Sequence, residues 1–158
     1  MLRISKLTDY ATQVAAWLAE HPEDFHSARE IADGVEMAVP TVSKVLKSLE
    51  RAGVTEAHRG KKGGYRLAGD PRAISVAQVI RAMEGPIALT ECSQVPGQCE
   101  QEEACTVQSN WQRINTAILN ALDGVSVAEM SEPVAVQSLT NRTIRLLDQS
   151  RAPNLERA

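Results

Sequence analysis

Apolar side chains recur at steps of three and four residues along most of this chain, a spacing that predicts a mainly helical protein. The first apolar stripe predicts a helix from about Leu2 to Glu20, and His21-Pro22 ends it. The residues of that stripe are Ile4, Leu7, Ala11, Val14, Ala15 and Leu18. Asp9 lies roughly opposite them at about 100° per residue. We therefore expect its carboxylate to face solvent or a partner.

Two shorter helices are predicted next. Ser27-Ala28-Arg29-Glu30 has the form of a capping box, so a second helix should open at Ser27 and close near Gly34. Pro40 suits the first turn of a third helix, which Gly53 ends. Its inward positions are Val42, Val45, Leu46 and Leu49, and its outward positions include Thr41, Lys44, Lys47, Ser48 and Arg51. This pattern is typical of a helix-turn-helix, although a three-helix bundle with a solvated charged face would share it.

The following segment predicts a β-hairpin. Val54–Arg59 and Tyr65–Leu67 have the pattern of two short strands, joined by Arg59-Gly60-Lys61-Lys62-Gly63-Gly64. The tip carries three cations and no acid. Beside the helix pair, this hairpin is interpreted as the wing of a winged helix, whose basic tip can enter a minor groove. A solubilising hairpin is the alternative.

The C-terminal half predicts further helices around one irregular segment. One helix should open at Ser75 and end at Gly85-Pro86. Glu91–Ala104 has no helical or strand period and is predicted to be a loop. A long helix follows from about Cys105 to Leu122, with Val107, Trp111, Ile114 and Ile118 near a 3.5-residue spacing. This stripe either forms a dimer interface or packs on the protein's own core.

The chain is thus expected to be mainly α with a small β-hairpin wing: a winged helix-turn-helix over residues 1–72 and a helix, cysteine loop and dimerisation helix over 73–130. A short helix is expected at Ser126–Met130, at the end of the second part. A C-terminal tail over 131–158 completes the chain, with a further short helix at about Ala135–Leu147 and a frayed end from Gln149 to Ala158.

The net charge of −3 does not exclude DNA as a partner, because phosphate binding depends on local charge density. Residues 44–66 hold seven lysines and arginines against only Glu50 and Glu56. No stretch resembles a signal peptide or a membrane span, so we expect a soluble, cytoplasmic protein.

The three cysteines are the main candidate chemistry. Cys92, Cys99 and Cys105 are spaced C-x6-C-x5-C, and an odd number of them argues against a disulfide framework. An irregular segment that delivers several thiolates to one point suits a soft metal centre. The spacing is wider than in structural zinc pairs. Reactive or incidental thiols are the alternative.

With this order of elements and these three cysteines, the sequence resembles the IscR/NsrR (Rrf2-type) family of bacterial transcription regulators, most closely those of the SUF iron–sulfur assembly system. The resemblance covers about residues 1–130. It is carried by the stretches 5–11, 59–67 and 79–85, which are SKLTDYA, RGKKGGYRL and VIRAMEG, together with the cysteine triplet.

The resemblance implies a homodimer that binds palindromic operators and holds an iron–sulfur cluster, [2Fe-2S] or [4Fe-4S], on the three cysteines of each subunit. IscR-type members place a His as fourth ligand three residues after the last cysteine, where this chain has Gln108. NsrR-type members use an Asp of the first helix, contributed by the other subunit, and Asp9 matches that position. A solvated helix-face carboxylate is the alternative for Asp9.

Together with the residues already described, the resemblance implies a cluster-sensing transcription regulator, most simply a repressor, of iron–sulfur cluster assembly genes. The expected DNA-binding residues are Thr41, Ser43, Lys44, Lys47, Arg59, Lys61, Lys62 and Tyr65. IscR-type relatives often carry Tyr and Glu where Thr41 and Ser43 stand, so the operator should differ from theirs. The alternatives are a winged-helix regulator that senses zinc or thiol oxidation, and a cysteine-dependent enzyme, for which no histidine is near the cysteines in sequence.

Overall fold

A computed structural model describes residues 3–60, 63–94, 97, 99–101 and 104–132 of the chain. These residues form seven helices and one two-stranded antiparallel sheet, which confirms the expected fold class. The helices are α1 (Lys6–Glu20), α2 (Ala28–Gly34), α3 (Val39–Arg51), α4 (Val76–Glu84), α5 (Glu91–Gln94), α6 (Gln108–Asp123) and α7 (Val127–Ser131), and the strands are β1 (Thr55–His58) and β2 (Gly64–Leu67).

Helix α1 begins later than the hydrophobic pattern indicates. Ser5 is its N-cap, and the Ser5 hydroxyl accepts a hydrogen bond from Thr8 N at 3.2 Å. Ile4 therefore lies outside the helix and is 51% exposed, so its placement in the buried stripe was wrong. A helix starts where a serine hydroxyl accepts a hydrogen bond from one of the unpaired N–H groups of its first turn, and the hydrophobic pattern contains no information about this hydrogen bond.

The helix-turn-helix and the wing share one core with α1. The capping box at Ser27 is present, Pro40 lies in the first turn of α3, and the four inward positions of α3 are all buried, as predicted. Strand β1 pairs with β2 from Thr55↔Leu67 to His58↔Gly64. The buried cluster is completed by residues of α1, α2, α4 and α7, including Leu18, Ile31, Val79 and Val127.

The C-terminal half departs from the prediction at two places. Residues 91–94 form the short helix α5, so Glu91–Ala104 is not a loop throughout. Helix α6 begins at Gln108 rather than Cys105, since Val107 is its N-cap. The first of these differences occurs where backbone hydrogen bonds, such as Ser93 N to Thr90 O at 3.0 Å, form a helical turn in a stretch that lacks hydrophobic periodicity.

Helix α7 returns the chain to the start of α4. Val76 N donates to Val125 O at 2.9 Å and Val127 N donates to Ile74 O at 2.8 Å. The buried Val127 then packs into the core beside α1. Within the residues that the structure describes, no helix has the length and apolar character needed to cross a membrane. The predicted helix at Ala135–Leu147 and the frayed end after it lie outside the described residues.

Candidate nucleic-acid interface and cysteine segment

Helix α3 presents a basic face opposite its buried stripe. Lys44, Lys47 and Arg51 are exposed, and at about 100° per residue they point directly away from the core. Thr41 and Ser43, in the first turns, are half-buried at the edges of that face. The arrangement places two short hydroxyl side chains at the helix start and three long cations along one side, which suits contacts to base edges and to phosphates respectively.

The wing is fixed to the helix-turn-helix at its base. Tyr65 N donates to His26 O at 2.8 Å, and His26 N donates to Tyr65 O at 3.0 Å. A Cβ added at Gly64 would lie 2.4 Å from the His26 carbonyl oxygen, so this close backbone approach requires glycine. Tyr65, expected at the DNA, is half-buried and packs against the core.

Arg66 performs a structural task that the sequence did not reveal. Its Nε lies 2.6 Å from Glu56 Oε1, across the two strands. Its guanidinium lies 4.5 Å from the centroid of the Phe25 ring, which in turn contacts the ring of His58. The charge of Arg66 is therefore engaged by Glu56 and Phe25, and its position across from Glu56 is evident only from the register of the two strands.

The basic tip of the wing lies partly outside the described residues. Arg59 follows β1 and is exposed. Gly63 N donates to Gly60 O at 3.0 Å, which closes the hairpin. Lys61 and Lys62, which were expected to contact DNA, are not among the residues that the structure describes.

The three cysteines differ in their surroundings. Cys92 lies on α5 and is only 8% exposed, with its Sγ 3.2 Å from Thr90 Oγ1. Cys99 and Cys105 are half-buried, and all three are free thiols. Among the described residues, no three Cys, His, Asp or Glu side chains are grouped closely enough to hold a metal ion. The described residues thus include three thiols of the type that a soft metal centre uses, but these thiols are not gathered at one point.

The backbone just before Cys92 is anchored to the long helix. Asn115 of α6 is only 6% exposed, and its Oδ1 accepts a hydrogen bond from Leu89 N at 3.1 Å. A buried Asn on an otherwise outward-facing helix turn is explained by this bond. Neither Asn115 nor Thr90 was expected from the sequence, where an Asn within a long helix carries no distinctive signal.

Asp9 is exposed on the first turn of α1, in agreement with its predicted direction. Its Oδ2 accepts a hydrogen bond from Gln13 Nε2 at 3.1 Å. The helix start beneath it is held by Glu84, whose Oε1 accepts from Ser5 N at 2.8 Å and from Thr8 Oγ1 at 2.6 Å. These hydrogen bonds, first that of the Thr8 hydroxyl, lower the pKa of the Glu84 carboxyl. The end of α4 therefore holds the turn of α1 on which Asp9 lies.

Helix α6 leaves most of its apolar stripe uncovered. Val107 is 48%, Trp111 41% and Ile114 42% exposed. Trp111, Ile114, Ile118 and Leu122 line a groove of about 820 Å³ that is closed on its other side by residues 3–4, Ile80 and the segment 84–89. The sequence left two interpretations of this stripe open, a dimer interface and packing on the protein's own core. Packing on the protein's own core does not account for the exposure of these three side chains.

A family model described as Rrf2, iron-dependent transcriptional regulator, matches residues 4–133. The CymR structure of B. subtilis, described as the global cysteine regulator of that organism, has 29% identity and a TM-score of 0.65, with 83% of this chain and 97% of that chain covered.

Two further structures show the same fold. T. potens IscR has 24% identity and a TM-score of 0.61, with 99% of this chain and 94% of that chain covered. The oxidised form of Staphylococcus aureus CymR has 23% identity and a TM-score of 0.60, with 85% of this chain and 100% of that chain covered.

Proposed function

Because the chain belongs to the Rrf2 family of transcription regulators, we propose that it is a homodimeric DNA-binding repressor controlled by an iron–sulfur cluster on Cys92, Cys99 and Cys105. Proteins of this family regulate transcription and are not enzymes, which argues against a cysteine-dependent enzyme. One observation carries the proposal: the chain combines a basic winged helix with three free thiols in the segment before α6, and α6 packs on α4 of the same core.

The DNA-binding surface consists of the exposed face of α3 and the tip of the wing. Thr41 and Ser43 are close enough to the helix start to meet base edges when α3 lies in a major groove. Lys44 and Lys47 supply phosphate contacts along the helix, and Arg59, Lys61 and Lys62 do so at the tip. Tyr65 stays a proposed DNA contact, and its half-buried ring, which packs on the core, also supports the wing from within.

The cysteine segment fits an iron–sulfur cluster in the chemistry of its donors. Three thiols within residues 92–105, one of them already buried on α5, provide soft ligands that such a cluster requires. When bound, the cluster would supply a group whose presence depends on cellular iron and sulfide. Cys99 and Cys105 have to approach Cys92 to hold it, so loading is expected to reorder the segment between α5 and α6.

Asp9 is proposed as the fourth ligand, contributed by the other subunit. Its carboxylate is exposed, and its only hydrogen-bond partner among the described residues is the exposed Gln13 side chain, so it is available to bind. Since α1 packs on α3, a carboxylate held from α1 would link the cysteine segment of one subunit to the DNA-binding unit of the other. Coupling then requires that the two cluster states differ in DNA affinity.

Target genes for iron–sulfur cluster assembly are proposed on the resemblance of the wing, of 79–85 and of the cysteine triplet to the SUF-system regulators. A repressor of such genes would bind its operator differently when iron and sulfide are scarce. Transcript levels of the assembly genes in a deletion strain, with and without an iron chelator, test this part.

The direct test is anaerobic purification with absorbance, iron and sulfide analysis and EPR. We expect a coloured protein with iron and acid-labile sulfide, loss of the cluster in Cys99→Ala, and altered spectra in Asp9→Ala. Asp24→Ala, an exposed carboxylate in the turn after α1, is the matched control. A colourless, iron-free wild type would contradict the proposal.

A second candidate function is a zinc or thiol-redox sensor on the same winged helix. Its thiol-redox form is favoured by the likeness to B. subtilis CymR, described as a global cysteine regulator, and by three free thiols that are not grouped within the described part of the chain. A zinc site would need these thiols to approach one another, as the cluster would. Zinc without sulfide in the anaerobic sample, or operator binding that changes with a mild oxidant in iron-free protein, would support this candidate over the cluster.

A further inference from the structure

A short chain of hydrogen-bonding groups ends on one of the three cysteines. Thr90 Oγ1 lies 3.2 Å from Cys92 Sγ and 2.9 Å from Ser93 Oγ. Hydroxyl protons can rotate, so the direction of these two bonds depends on the protonation of the sulfur. The three groups lie at the start of α5, and Thr90 and Ser93 are both half-buried.

Ligand chemistry decides that direction. A cysteine that binds a metal does so as a thiolate, and a thiolate has no proton to donate. The single hydroxyl proton of Thr90 must then point to Cys92 Sγ. The remaining bond is completed by Ser93, whose hydroxyl donates to Thr90 Oγ1. Ser93, Thr90 and Cys92 would therefore form a directed relay that ends on the sulfur.

We propose that Thr90 is a positioning residue for the iron–sulfur centre: its hydroxyl donates to Cys92 Sγ and so sets both the orientation of this ligand and the reduction potential of the cluster. The inference rests on the proposed function. Hydrogen bonds to ligand sulfurs are one of the main determinants of cluster potential, because they stabilise the more negatively charged reduced state.

The surroundings make Cys92 the pre-organised ligand of the three. It is 8% exposed, whereas Cys99 and Cys105 are half-buried. The residue before Thr90 is fixed to α6 by the bond from Leu89 N to Asn115 Oδ1. The Cys92 thiol therefore keeps its position before a cluster is loaded. The entropic cost of ordering the ligands then arises mainly from Cys99 and Cys105.

The experiment compares reconstituted wild type with Thr90→Val and Thr90→Ser under anaerobic conditions. Valine keeps the shape of threonine and removes the hydroxyl, whereas serine keeps the hydroxyl. We expect Thr90→Val to load a cluster with a lower reduction potential and to release its iron to a chelator faster, on the order of ten-fold. Thr90→Ser should restore the potential of the wild type.

Thr106→Val is the matched control, because Thr106 is next to Cys105 and no hydrogen bond joins it to a cysteine sulfur in the part of the chain that the structure describes. Thermal unfolding of the cluster-free variants distinguishes the positioning role of Thr90 from a merely structural one, because a structural role would change the stability of the protein without changing the reduction potential of the cluster. If Thr90→Val fails to load, Ser93→Ala removes only the donor to Thr90 and should lower the potential by a smaller amount.

Potentials of Thr90→Val or Ser93→Ala that equal those of the wild type would overturn this inference and leave the proposed function intact. A wild type that takes up zinc alone, or nothing, would instead be a failure of the proposed function itself.

Discussion

Thr8 and Glu84 are joined by a hydrogen bond of 2.6 Å, in which the fully buried Thr8 hydroxyl donates to Glu84 Oε1. The same carboxylate oxygen accepts from Ser5 N at 2.8 Å. A negative charge at the N-terminus of a helix is also stabilised by the helix dipole. The end of α4 therefore holds the start of α1, one residue before the proposed ligand Asp9.

Replacing this carboxylate should weaken the fold in a pH-dependent way. Glu84→Gln removes the charge and keeps the shape, and we expect a loss of about 1 kcal/mol in the free energy of unfolding at neutral pH. The Thr8 hydroxyl and Ser5 N–H lower the pKa of Glu84 in the folded state from its ordinary value of 4.5. The contribution is thus complete above that ordinary value and is lost as the pH falls through the lowered folded-state pKa.

Urea unfolding of wild type and Glu84→Gln across acidic pH values measures this difference. Glu20→Gln, at the exposed last residue of α1, is the control and should have little effect at any pH. A difference between wild type and Glu84→Gln that stays constant down to the acid unfolding transition would contradict the assignment.

Lys44 and Lys47 should contribute to the affinity for DNA without contributing to the recognition of a particular base sequence. Each alanine variant is expected to weaken operator binding and to reduce the slope of log K against log salt by about 1, because a phosphate contact releases counterions. Fluorescence anisotropy at several salt concentrations, on an operator selected from random DNA, provides the slope. Arg72→Ala, an exposed cation in the turn beyond the wing, should leave it unchanged; equal slopes for all three variants would exclude these lysines from the interface.

Arg66 should behave differently from those lysines. Its charge is already paired with Glu56 at 2.6 Å and stacked on Phe25, so Arg66→Ala should destabilise the protein by about 1 kcal/mol through loss of both contacts. Operator affinity should fall because the wing loosens, with no change in the salt slope. A salt slope reduced by about 1 would show instead that Arg66 contacts phosphate.

The start of β2 offers a backbone test. In Gly64→Ala the new Cβ would lie 2.4 Å from His26 O, and the pairing between β2 and the segment before α2 has to open. We expect a loss of about 1–3 kcal/mol and weaker operator binding. At Gly69 an added Cβ meets nothing within 4 Å, so Gly69→Ala should be close to wild type in thermal unfolding. Equal stability of the two variants would mean that the pairing with His26 is not required.

Hydrophobic periodicity was sufficient to predict the helices that bury a continuous stripe. Helix α3 is the clearest case, since all four of its predicted inward residues are buried. Periodicity failed where one polar side chain fixes the backbone. Ser5 starts α1 after Ile4, and Thr90 accompanies a helical turn at α5 within a segment that has no pattern.

The candidate site could be predicted only in part for the same physical reason. The three cysteines and the basic positions of α3 are visible as residue types and spacings. The roles of Arg66 and Asn115 depend on contacts across 10 and 26 residues respectively, which no local pattern encodes. Convergence of Cys92, Cys99 and Cys105 would require the binding energy of the proposed cluster, and a sequence pattern does not contain that energy.

The uncovered stripe of α6 leads to the last prediction, which concerns the proposed homodimer. Ile114 is 42% exposed beside Trp111, so a charge there should be tolerated by the monomer and should oppose burial against a second copy. We expect Ile114→Glu to be monomeric at micromolar concentration in analytical ultracentrifugation and to lose binding to a palindromic operator, because each half-site then has to be bound separately. Gln112→Glu adds the same charge to an exposed position on another side of α6 and should remain dimeric. A dimeric Ile114→Glu would place the subunit interface elsewhere, and the exposed stripe would then need another partner to explain it.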